Sequence, residues 1–392
     1  ARVVCWGQTW SLPVNTRVGD VTTAASAVAI PMAVHRRVVS LGAGAVTTCA
    51  LADDGVLTCW GSNAWGQLGS PGSVIGDNER ANQAGGVPMP GERTVIAVSN
   101  AKVHSCAVLD NGQVACWGDG ANGKLGYGNT TTIGDNETPA QNPAHGGMVP
   151  LPGGASAVAI SVGHSHACAL LTSGSITCWG NNTWGQLGYG NTNDIGDNET
   201  PAQNPVHGGL TYLPAGRTAV AVAAGDFHTC ALLDNGQVTC WGDGAFGKLG
   251  YGNTLQINNP STNPYNGGIV PLPGGHTATA IAAGQDHTCA VLDNGQVSCW
   301  GDAVYGQLGY GNIIDIGDNE TPAGNPYNGG IVALPAGRTA VAVATAVAHT
   351  CATLDDGTVS CCGYAGSGRL GYGNLNNIGD TETPAKNPVN GG

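Results

Sequence analysis

The sequence is poor in charged residues, and above all in basic ones. Only 10% of its residues are charged, and Lys and Arg together number 13 in 392 residues. Glu, Lys and Arg are good helix formers, whereas each Gly weakens a helix interior by about 0.8–1 kcal/mol, so a chain with 65 Gly should contain little helix. The formal charge of −13 disfavours partners that are bound by neutralising phosphates, and we therefore expect no nucleic-acid binding.

Long hydrophobic runs are missing as well. No apolar stretch approaches the roughly 18–20 residues that a membrane-spanning helix needs, so we expect no membrane span. Phe occurs only twice, whereas the chain has 65 Gly, 21 Pro and 14 Cys. Such a composition favours many short strands joined by turns.

An internal repeat is the main feature of the sequence. Cys-Trp-Gly, replaced once by Cys-Cys-Gly, recurs every 54 to 62 residues, and the repeats end near residues 7, 61, 118, 180, 242, 301 and 363. One unit contains four strand-like pieces, which are Ala219–Ala224, His228–Leu233, residues 237–241 and a short piece around residues 248–251. Four short strands per repeat are typical of a β-propeller blade.

We therefore predict an all-β fold, a single β-propeller domain over residues 1–392 with about seven four-stranded blades. Seven Cys-Trp-Gly-type strands occur, but only six hairpin arms precede them, five with His-x-Cys and one with Thr47 in place of the histidine. The prediction is thus six complete blades plus one incomplete N-terminal half-blade, with long loops between the blades.

Twelve cysteines form pairs whose members stand ten positions apart. Each pair flanks a turn with Gly in third place, and such a three-residue hairpin loop places the two Cys directly opposite, at a non-hydrogen-bonded site where a disulfide fits. Free core thiols and zinc ligands are the alternatives, although zinc ligands usually stand two to four residues apart. We expect six disulfides and an oxidising compartment. The pairs are Cys49 with Cys59, Cys106 with Cys116, Cys168 with Cys178, Cys230 with Cys240, Cys289 with Cys299, and Cys351 with Cys361.

Two cysteines, Cys5 and Cys362, have no hairpin mate, and Cys362 stands where other repeats have Trp. We expect them to bridge, either across the ring closure or between successive subunits. The N-terminal strand also lacks its hairpin arm, and an open strand edge is a template for pairing with another chain. The predicted interface for ring closure or filament assembly is Arg2, Val3, Val4, Cys5 and Trp6.

The recurring string G-x-x-H-[TSA]-C-A-[LV]-L-x-[ND]-G-x-[VI]-x-C-W-G-x-x-x-x-G-[QK]-L-G-Y-G resembles the repeat of the regulator of chromosome condensation family, from Val3 to at least Gly373. The resemblance implies a β-propeller, usually of seven blades. The family includes a nuclear nucleotide-exchange factor, ubiquitin ligase modules and a secreted β-lactamase inhibitor, so it implies no particular activity. The acidic charge and the paired cysteines are more similar to its secreted bacterial branch.

The recurrent histidines and aromatic residues each allow two interpretations. His104, His166, His228, His287 and His349 could form a ring of metal ligands, but we favour structural hydrogen bonds, as in the resembled family. The aromatic residues could form a sugar-stacking surface, but we expect them to fill the spaces between blades. They are Trp60, Trp117, Trp179, Trp241 and Trp300, with Trp65, Trp184, Phe246 and Tyr305 a few residues later.

Five near-identical acidic loops offer closely spaced oxygen ligands of the kind that calcium uses. Their spacing does not match an EF-hand, and the favoured alternative is that Asp-Asn caps a turn while Glu is solvated. Calcium is thus the one cofactor we retain, and we expect no other. The tentative ligands are Asp77, Glu79, Asp135, Glu137, Asp197, Glu199, Asp318, Glu320, Asp380 and Glu382.

No catalytic residues can be picked out, because nearly every polar residue recurs in each repeat and no nucleophilic triad or phosphate-binding loop is present. We therefore expect a non-enzymatic extracellular or cell-surface scaffold that binds protein or assembles with itself through its open blade. The alternative is an extracellular enzyme or lectin-like module that acts on a polysaccharide at the propeller face.

Overall fold

The structure is a computed structural model that describes Val3, Cys5 and residues 36–72, 85–264 and 266–387. Within these ranges the chain contains β-strands and short 3₁₀ helices and no α-helix. The all-β prediction is therefore confirmed. No helix among the described residues has the length and apolarity to cross a membrane.

Eighteen strands, each of five or six residues, form the regular structure of the described ranges. They are β1 (Val38–Ala43), β2 (Thr47–Ala52), β3 (Leu57–Gly61), β4 (Val95–Asn100), β5 (His104–Leu109), β6 (Val114–Gly118), β7 (Ala157–Val162), β8 (His166–Leu171), β9 (Ile176–Gly180), β10 (Ala219–Ala224), β11 (His228–Leu233), β12 (Val238–Gly242), β13 (Ala278–Ala283), β14 (His287–Leu292), β15 (Val297–Gly301), β16 (Ala340–Thr345), β17 (His349–Leu354) and β18 (Val359–Gly363).

The 3₁₀ helices lie in the connections between strands, and many begin with Pro, whose fixed φ suits the first helical position. They are Pro90–Glu92, Ala121–Gly123, Pro139–Gln141, Ala144–Gly147, Pro152–Gly154, Pro201–Gln203, Val206–Gly209, Ala245–Gly247, Pro260–Thr262, Asn266–Gly268, Pro273–Gly275, Pro322–Gly324, Asn328–Gly330, Pro335–Gly337, Gly366–Gly368 and Pro384–Lys386.

The strands form six antiparallel three-stranded sheets in which consecutive strands are neighbours, such as β10-β11-β12. The hairpin β11–β12 closes at Gly236, whose φ of +76° is the left-handed conformation that glycine adopts without strain. This turn sets the register that pairs Cys230 with Cys240. Every residue of β11 and β12 is buried, because the middle and third strands lie inside the packed sheets.

The expected fourth strand around residues 248–251 is not a strand in the structure. Gly247 and Gly250 have φ of +73° and +79°, and such left-handed glycines interrupt an extended chain. The edge of β12 is instead extended by one isolated bridge between Gly242 and Ile257, and four other sheets carry the equivalent bridge. The described residues thus contain six three-stranded sheets, and seven four-stranded blades stay a prediction.

The described residues divide into two compact units. The first contains residues 36–72, 85–183 and 193–211, with the sheets β1–β3, β4–β6 and β7–β9. The second contains residues 184–192, 212–264 and 266–387, with the sheets β10–β12, β13–β15 and β16–β18.

All six predicted hairpin disulfides are present in the structure. Each joins the second and third strands of one sheet at directly paired residues, which is the register that the three-residue turns predict. No disulfide among the described residues connects different sheets. The bridges are Cys49 to Cys59, Cys106 to Cys116, Cys168 to Cys178, Cys230 to Cys240, Cys289 to Cys299, and Cys351 to Cys361.

The expected bridge between Cys5 and Cys362 is not formed within the chain, where both are free thiols. Cys362 is buried among Ala365, Leu370 and Ile378, and burial raises the pKa of its thiol to about 12. Cys362 Sγ lies 3.5 Å from the carbonyl of Gln307 in the preceding repeat, where the other repeats place a tryptophan Nε1, so the thiol takes the tryptophan's place between repeats. A bridge between subunits stays a prediction.

The predicted N-terminal interface is described only in part. Arg2, Val4 and Trp6 lie outside the described residues, whereas Val3 is buried and Cys5 is partly buried. The role of this segment in ring closure or filament assembly therefore stays a prediction.

Candidate functional site

Successive repeats are joined at one backbone carbonyl in the turn G-[QK]-L-G. The carbonyl of Lys248 accepts hydrogen bonds from Trp300 Nε1 (3.0 Å) and Thr288 Oγ1 (3.0 Å) of the next repeat. The carbonyl of Gln67 likewise accepts from Trp117 Nε1 (3.0 Å) and from a serine hydroxyl. The prediction that tryptophans fill the spaces between repeats is confirmed for those that are fully buried and donate Nε1 to the preceding repeat, which are Trp117, Trp179, Trp241 and Trp300. Trp60 is fully buried as well, but most residues of the repeat before it lie outside the described ranges, so for Trp60 the prediction stays untested.

The recurrent histidines add a hydrogen bond to this contact between successive repeats. His228 Nε2 lies 2.9 Å from Thr288 Oγ1, and because that hydroxyl donates to the Lys248 carbonyl, the imidazole nitrogen must be the donor. His287 makes the same contact with Thr350 Oγ1 at 2.9 Å, and burial lowers the pKa of His287 to about 3. The structural interpretation of these two histidines is confirmed.

Two repeats depart from this pattern. Alanine at position 167 offers no hydroxyl to the preceding repeat, and within the described part of the chain neither nitrogen of the buried His104 ring makes a hydrogen bond of normal geometry. Burial, followed by the charge of Lys124, lowers the pKa of His104 well below its usual value. In the first repeat Thr47 replaces the histidine, and Asn100 Nδ2 donates to Ser105 Oγ instead (2.8 Å).

The recurrent tyrosines are also used inside the fold. The Tyr251 hydroxyl accepts from the backbone N–H of Cys240 (3.0 Å) and lies 3.0 Å from the carbonyl of Gly268. Tyr310 makes the same contacts in the next repeat, where the N–H of Cys299 is the donor, and burial raises the pKa of its hydroxyl to about 12. The polar residues that recur in every repeat therefore hold the sheets and loops together.

The acidic loops cap turns, as the favoured interpretation predicts. Asp135 Oδ1 accepts from the backbone N–H of Asn136 (2.9 Å), and Asp197, Asp318 and Asp380 repeat this bond with the residue that follows each of them. Gly134 packs so tightly on the backbone of Gly66 in the preceding repeat that a side chain would collide there. The acidic loops thus also fasten neighbouring repeats.

The glutamates of these loops are half-buried beside the aspartates, so the expectation that they are solvated is wrong. Burial, and next the charge of Asp135, raise the pKa of Glu137, and Glu199 and Glu320 are affected in the same way. Nowhere in the described ranges do three or more His, Cys, Asp or Glu side chains form a group that could hold a metal ion. Calcium binding stays a prediction, and Asp77 and Glu79 lie outside the described residues.

The fifth acidic loop borders a cavity of about 720 Å³. Asp380 and Glu382 line it together with the amide side chains of Asn374 and Asn377 and the ammonium group of Lys386.

The aromatic residues of the G-x-x-x-[aromatic]-G turns do not fill the spaces between repeats, and for them that expectation is wrong. They are exposed because they project from a turn, whereas the Cys-Trp-Gly tryptophans lie on a strand. The aromatic row consists of Trp65 (52% exposed), Trp184 (43%), Phe246 (46%) and Tyr305 (41%). Its members occupy one position in their repeats.

Phe246 stands out in this row because its φ is +59°, in the left-handed region. Asparagine tolerates that conformation far better than an aromatic residue, and Asn122 adopts it at the equivalent position with φ of +58°. Phe246 thus combines an exposed aromatic side chain with a strained backbone conformation.

A buried lysine beside this turn was missed by sequence reasoning. Lys248 Nζ lies 2.7 Å from Asp243 and 2.5 Å from Asp286 of the next repeat, and its ammonium group lies 5.8 Å from the centre of the Phe246 ring. The sequence feature that could have indicated it is the lysine of the string G-K-L-G, two positions after the aromatic residue.

Comparison with known proteins places these features in a family. The family model for the RCC1-like domain matches residues 2–390. The chain is 30% identical over 285 residues to the Ultraviolet-B receptor UVR8 of Arabidopsis thaliana, which is 71% of this chain and 57% of that protein. It is 30% identical over 208 residues to the human E3 ubiquitin-protein ligase HERC2, which is 53% of this chain and 4% of that protein. The chain thus spans less than two thirds of these curated relatives.

Solved structures agree on the fold. Yeast RCC1 (Prp20), bound to Kap60, has a TM-score of 0.72 at 18% identity, with 98% of this chain and 84% of that chain covered. Human WBSCR16 has a TM-score of 0.71 at 19% identity, with 98% and 94% covered. The six sheets are therefore those of an RCC1-type β-propeller.

Proposed function

Because the chain belongs to the RCC1-like domain family, we propose that it is a non-enzymatic β-propeller that binds protein partners outside the cell or at its surface. The observation that carries the proposal is the aromatic row, and above all Phe246, which is exposed in a strained conformation. Large exposed aromatic side chains are enriched at the centres of protein interfaces. The recurrent polar residues are engaged within the fold, whereas these aromatic rings are exposed in each repeat that carries one.

The extracellular part of the proposal rests on the six disulfides. Cystines form and persist in oxidising compartments and are rare in the cytosol. Free-thiol counting on protein recovered from its native source tests this: two thiols per chain support secretion, and fourteen would contradict it.

Partner binding is tested by cross-linking the oxidised full chain to the cell-surface proteins of the organism that produces it, followed by mass spectrometry. The test variant carries Trp65→Asn, Trp184→Asn and Phe246→Asn, since asparagine already occupies this position at Asn122. The control is Val341→Thr, which removes a side chain that is 61% exposed but lies in strand β16. Cross-links lost in the triple variant and kept in the control support the proposal, and equal cross-linking by both contradicts it.

Self-assembly through the N-terminal strand is the finer part of the proposal. Its support is the apolar sequence of residues 2–6, whereas Val3 is already buried within the chain. Light scattering of the full chain and of a variant lacking residues 1–7 separates the two cases. A larger particle that disappears on truncation supports assembly, and identical monomers contradict it.

Exposed aromatic rings in one register also suit sugar stacking, which keeps the lectin-like alternative testable. Calorimetric titration of the wild type and the triple asparagine variant with soluble polysaccharides decides it. Binding that the variant loses would favour the alternative over a protein partner.

A further inference from the structure

The loop after the G-x-x-x-x-G turn differs in polarity between the two units. In the second unit it exposes aliphatic side chains in three successive repeats, between 50% and 57% of each being accessible: Leu255, Ile313, Ile314 and Leu375. The equivalents of Ile313 and Ile314 in the first unit are Thr130 and Thr131, which are exposed too. The fold therefore does not require isoleucine at these positions.

One hydrogen bond connects the loop that carries the two isoleucines to a turn that carries an exposed aromatic residue. The backbone N–H of Ala303 donates to Asp315 Oδ1 (2.9 Å), which ties the turn that carries Tyr305 to the isoleucine loop. The ring of Tyr305 lies 5.0 Å from that of Tyr364 in the next repeat. We call this surface the apolar patch, which consists of Val304, Tyr305, Ile313, Ile314 and Tyr364.

Carboxylates border the apolar patch. Asp315 Oδ1 accepts from the backbone N–H of Ala303 (2.9 Å), and Asp302 Oδ1 accepts from that of Val304 (3.1 Å), so both carboxylates lie at the turn that carries Val304 and Tyr305. Burial, with added repulsion from Asp302 and Asp318, raises the pKa of Asp315. The pKa of Glu320 is raised by burial and by Asp318 and Asp315 in the same way. The nearby Lys248 is already paired with two aspartates, so it does not neutralise this border.

One cation belongs to the patch. The Arg369 guanidinium lies 4.7 Å from the centre of the Tyr364 ring, a distance at which a cation is attracted to an aromatic face. The patch thus combines aliphatic side chains, two tyrosine rings of which one already binds a cation, and an excess of carboxylates.

We propose that the apolar patch docks a protein segment that presents apolar side chains flanked by lysine or arginine. This rests on the proposed protein-binding function and specifies the surface and the chemistry of the partner. The carboxylates would pair with the basic residues, and the tyrosine faces would accept further cations. A second copy of the chain would bring the same carboxylates against these, and an anionic membrane would be repelled.

The test uses the oxidised full chain and a fluorescent synthetic peptide that alternates leucine and lysine. Matched peptides replace leucine by serine or lysine by glutamate. We expect anisotropy to report binding of the leucine-lysine peptide, weakened by added salt because screening reduces the charge attraction. Equal binding of the serine-lysine peptide, or no binding of the leucine-lysine peptide, overturns the proposal.

The variant Ile313→Thr with Ile314→Thr installs the residues that the chain itself carries at Thr130 and Thr131. We expect roughly tenfold weaker peptide binding, because the variant loses two apolar side chains that the bound peptide would cover. The control Val341→Thr should bind as the wild type does. If the double threonine variant binds the peptide as tightly as the wild type, the inference about the apolar patch is wrong. The cross-linking assay tests the proposed function separately, so the two hypotheses can fail independently.

Discussion

At the contact between the repeats of His104 and Ala167, alanine replaces the threonine or serine whose hydroxyl forms hydrogen bonds in the equivalent contacts. Elsewhere a threonine at this position accepts from a histidine nitrogen and donates to a backbone carbonyl, as Thr288 does between His228 and Lys248. Next to Ala167 the ring of His104 is buried without those bonds. A buried donor without an acceptor costs about 1–3 kcal/mol, so this joint should be weaker than its counterparts.

The change Ala167→Thr should therefore stabilise the protein. We expect the free energy of unfolding to rise by about 1 kcal/mol, since one hydrogen bond to His104 and one to the Lys124 carbonyl are gained. Urea unfolding of the oxidised chain measures it. The reciprocal variant Thr288→Val should lose about 1–3 kcal/mol, and a stability of Ala167→Thr at or below wild type would contradict the account.

Phe246→Asn should separate stability from binding. Asparagine suits the left-handed backbone, so the free energy of unfolding should rise by about 0.5–1 kcal/mol while cross-linking to partners falls. Thermal unfolding and the cross-linking assay measure the two effects. Loss of stability would show that the phenyl ring serves the fold.

Which aromatic residues are buried could be predicted only in part from the sequence. The tryptophans of Cys-Trp-Gly alternate with the disulfide cysteines on a strand, and their burial follows from that pattern. Trp65 and Trp184 recur just as regularly, but the left-handed glycine after each turns the chain outward, and periodicity does not reveal this. Recurrence of an aromatic residue at one position of the repeat therefore does not by itself predict burial.

At the scale of the element, the hairpin β11–β12 was predictable to the residue. Gly236 in third place fixes the turn, and the turn fixes the pairing of Cys230 with Cys240. The fourth strand around residues 248–251 was not predictable, because the sequence pattern does not reveal that Gly247 and Gly250 adopt left-handed conformations or that the Tyr251 hydroxyl accepts from the backbone N–H of Cys240. A polar contact distant in sequence decided that segment.

Removal of one hairpin disulfide tests how much these elements contribute. The double change Cys230→Ala with Cys240→Ala should lower the free energy of unfolding by roughly 2–3 kcal/mol, as expected for cross-linking a short loop of the unfolded chain. Chemical denaturation without reductant measures the loss. The same double change at Cys168 and Cys178 is the matched control, and unequal losses would contradict a purely local role.

For the whole molecule, the buried histidines predict how stability depends on pH. Burial lowers the pKa of His166 and His287 to about 3 and that of His349 to about 4, whereas the unfolded chain titrates near 6.5. Between these values the unfolded state binds more protons than the folded state. The histidine contribution to stability is therefore complete above pH 6.5 and falls as the pH drops towards 4, by about 1.4 kcal/mol per pH unit for each histidine. Glu137, Glu199 and Glu320, whose pKa is raised in the fold, offset part of this loss at the acidic end.

Denaturation in urea across that pH range measures the slope. The variant His287→Gln keeps a donor for Thr350 but cannot be protonated, so its slope should be smaller by about one proton. A wild-type stability that stays constant between pH 6.5 and 4 would contradict the prediction.

The confinement of every cystine to a single hairpin bears on how such a chain can change its length during evolution. Each copy of the unit contains both sulfur atoms of its bridge, ten positions apart. Duplication or deletion of a whole unit therefore adds or removes a complete disulfide and leaves no cysteine of a bridge without its partner. Tandem expansion of this chain is compatible with oxidative maturation, whereas a scaffold with cystines between units would mispair at the first recombination.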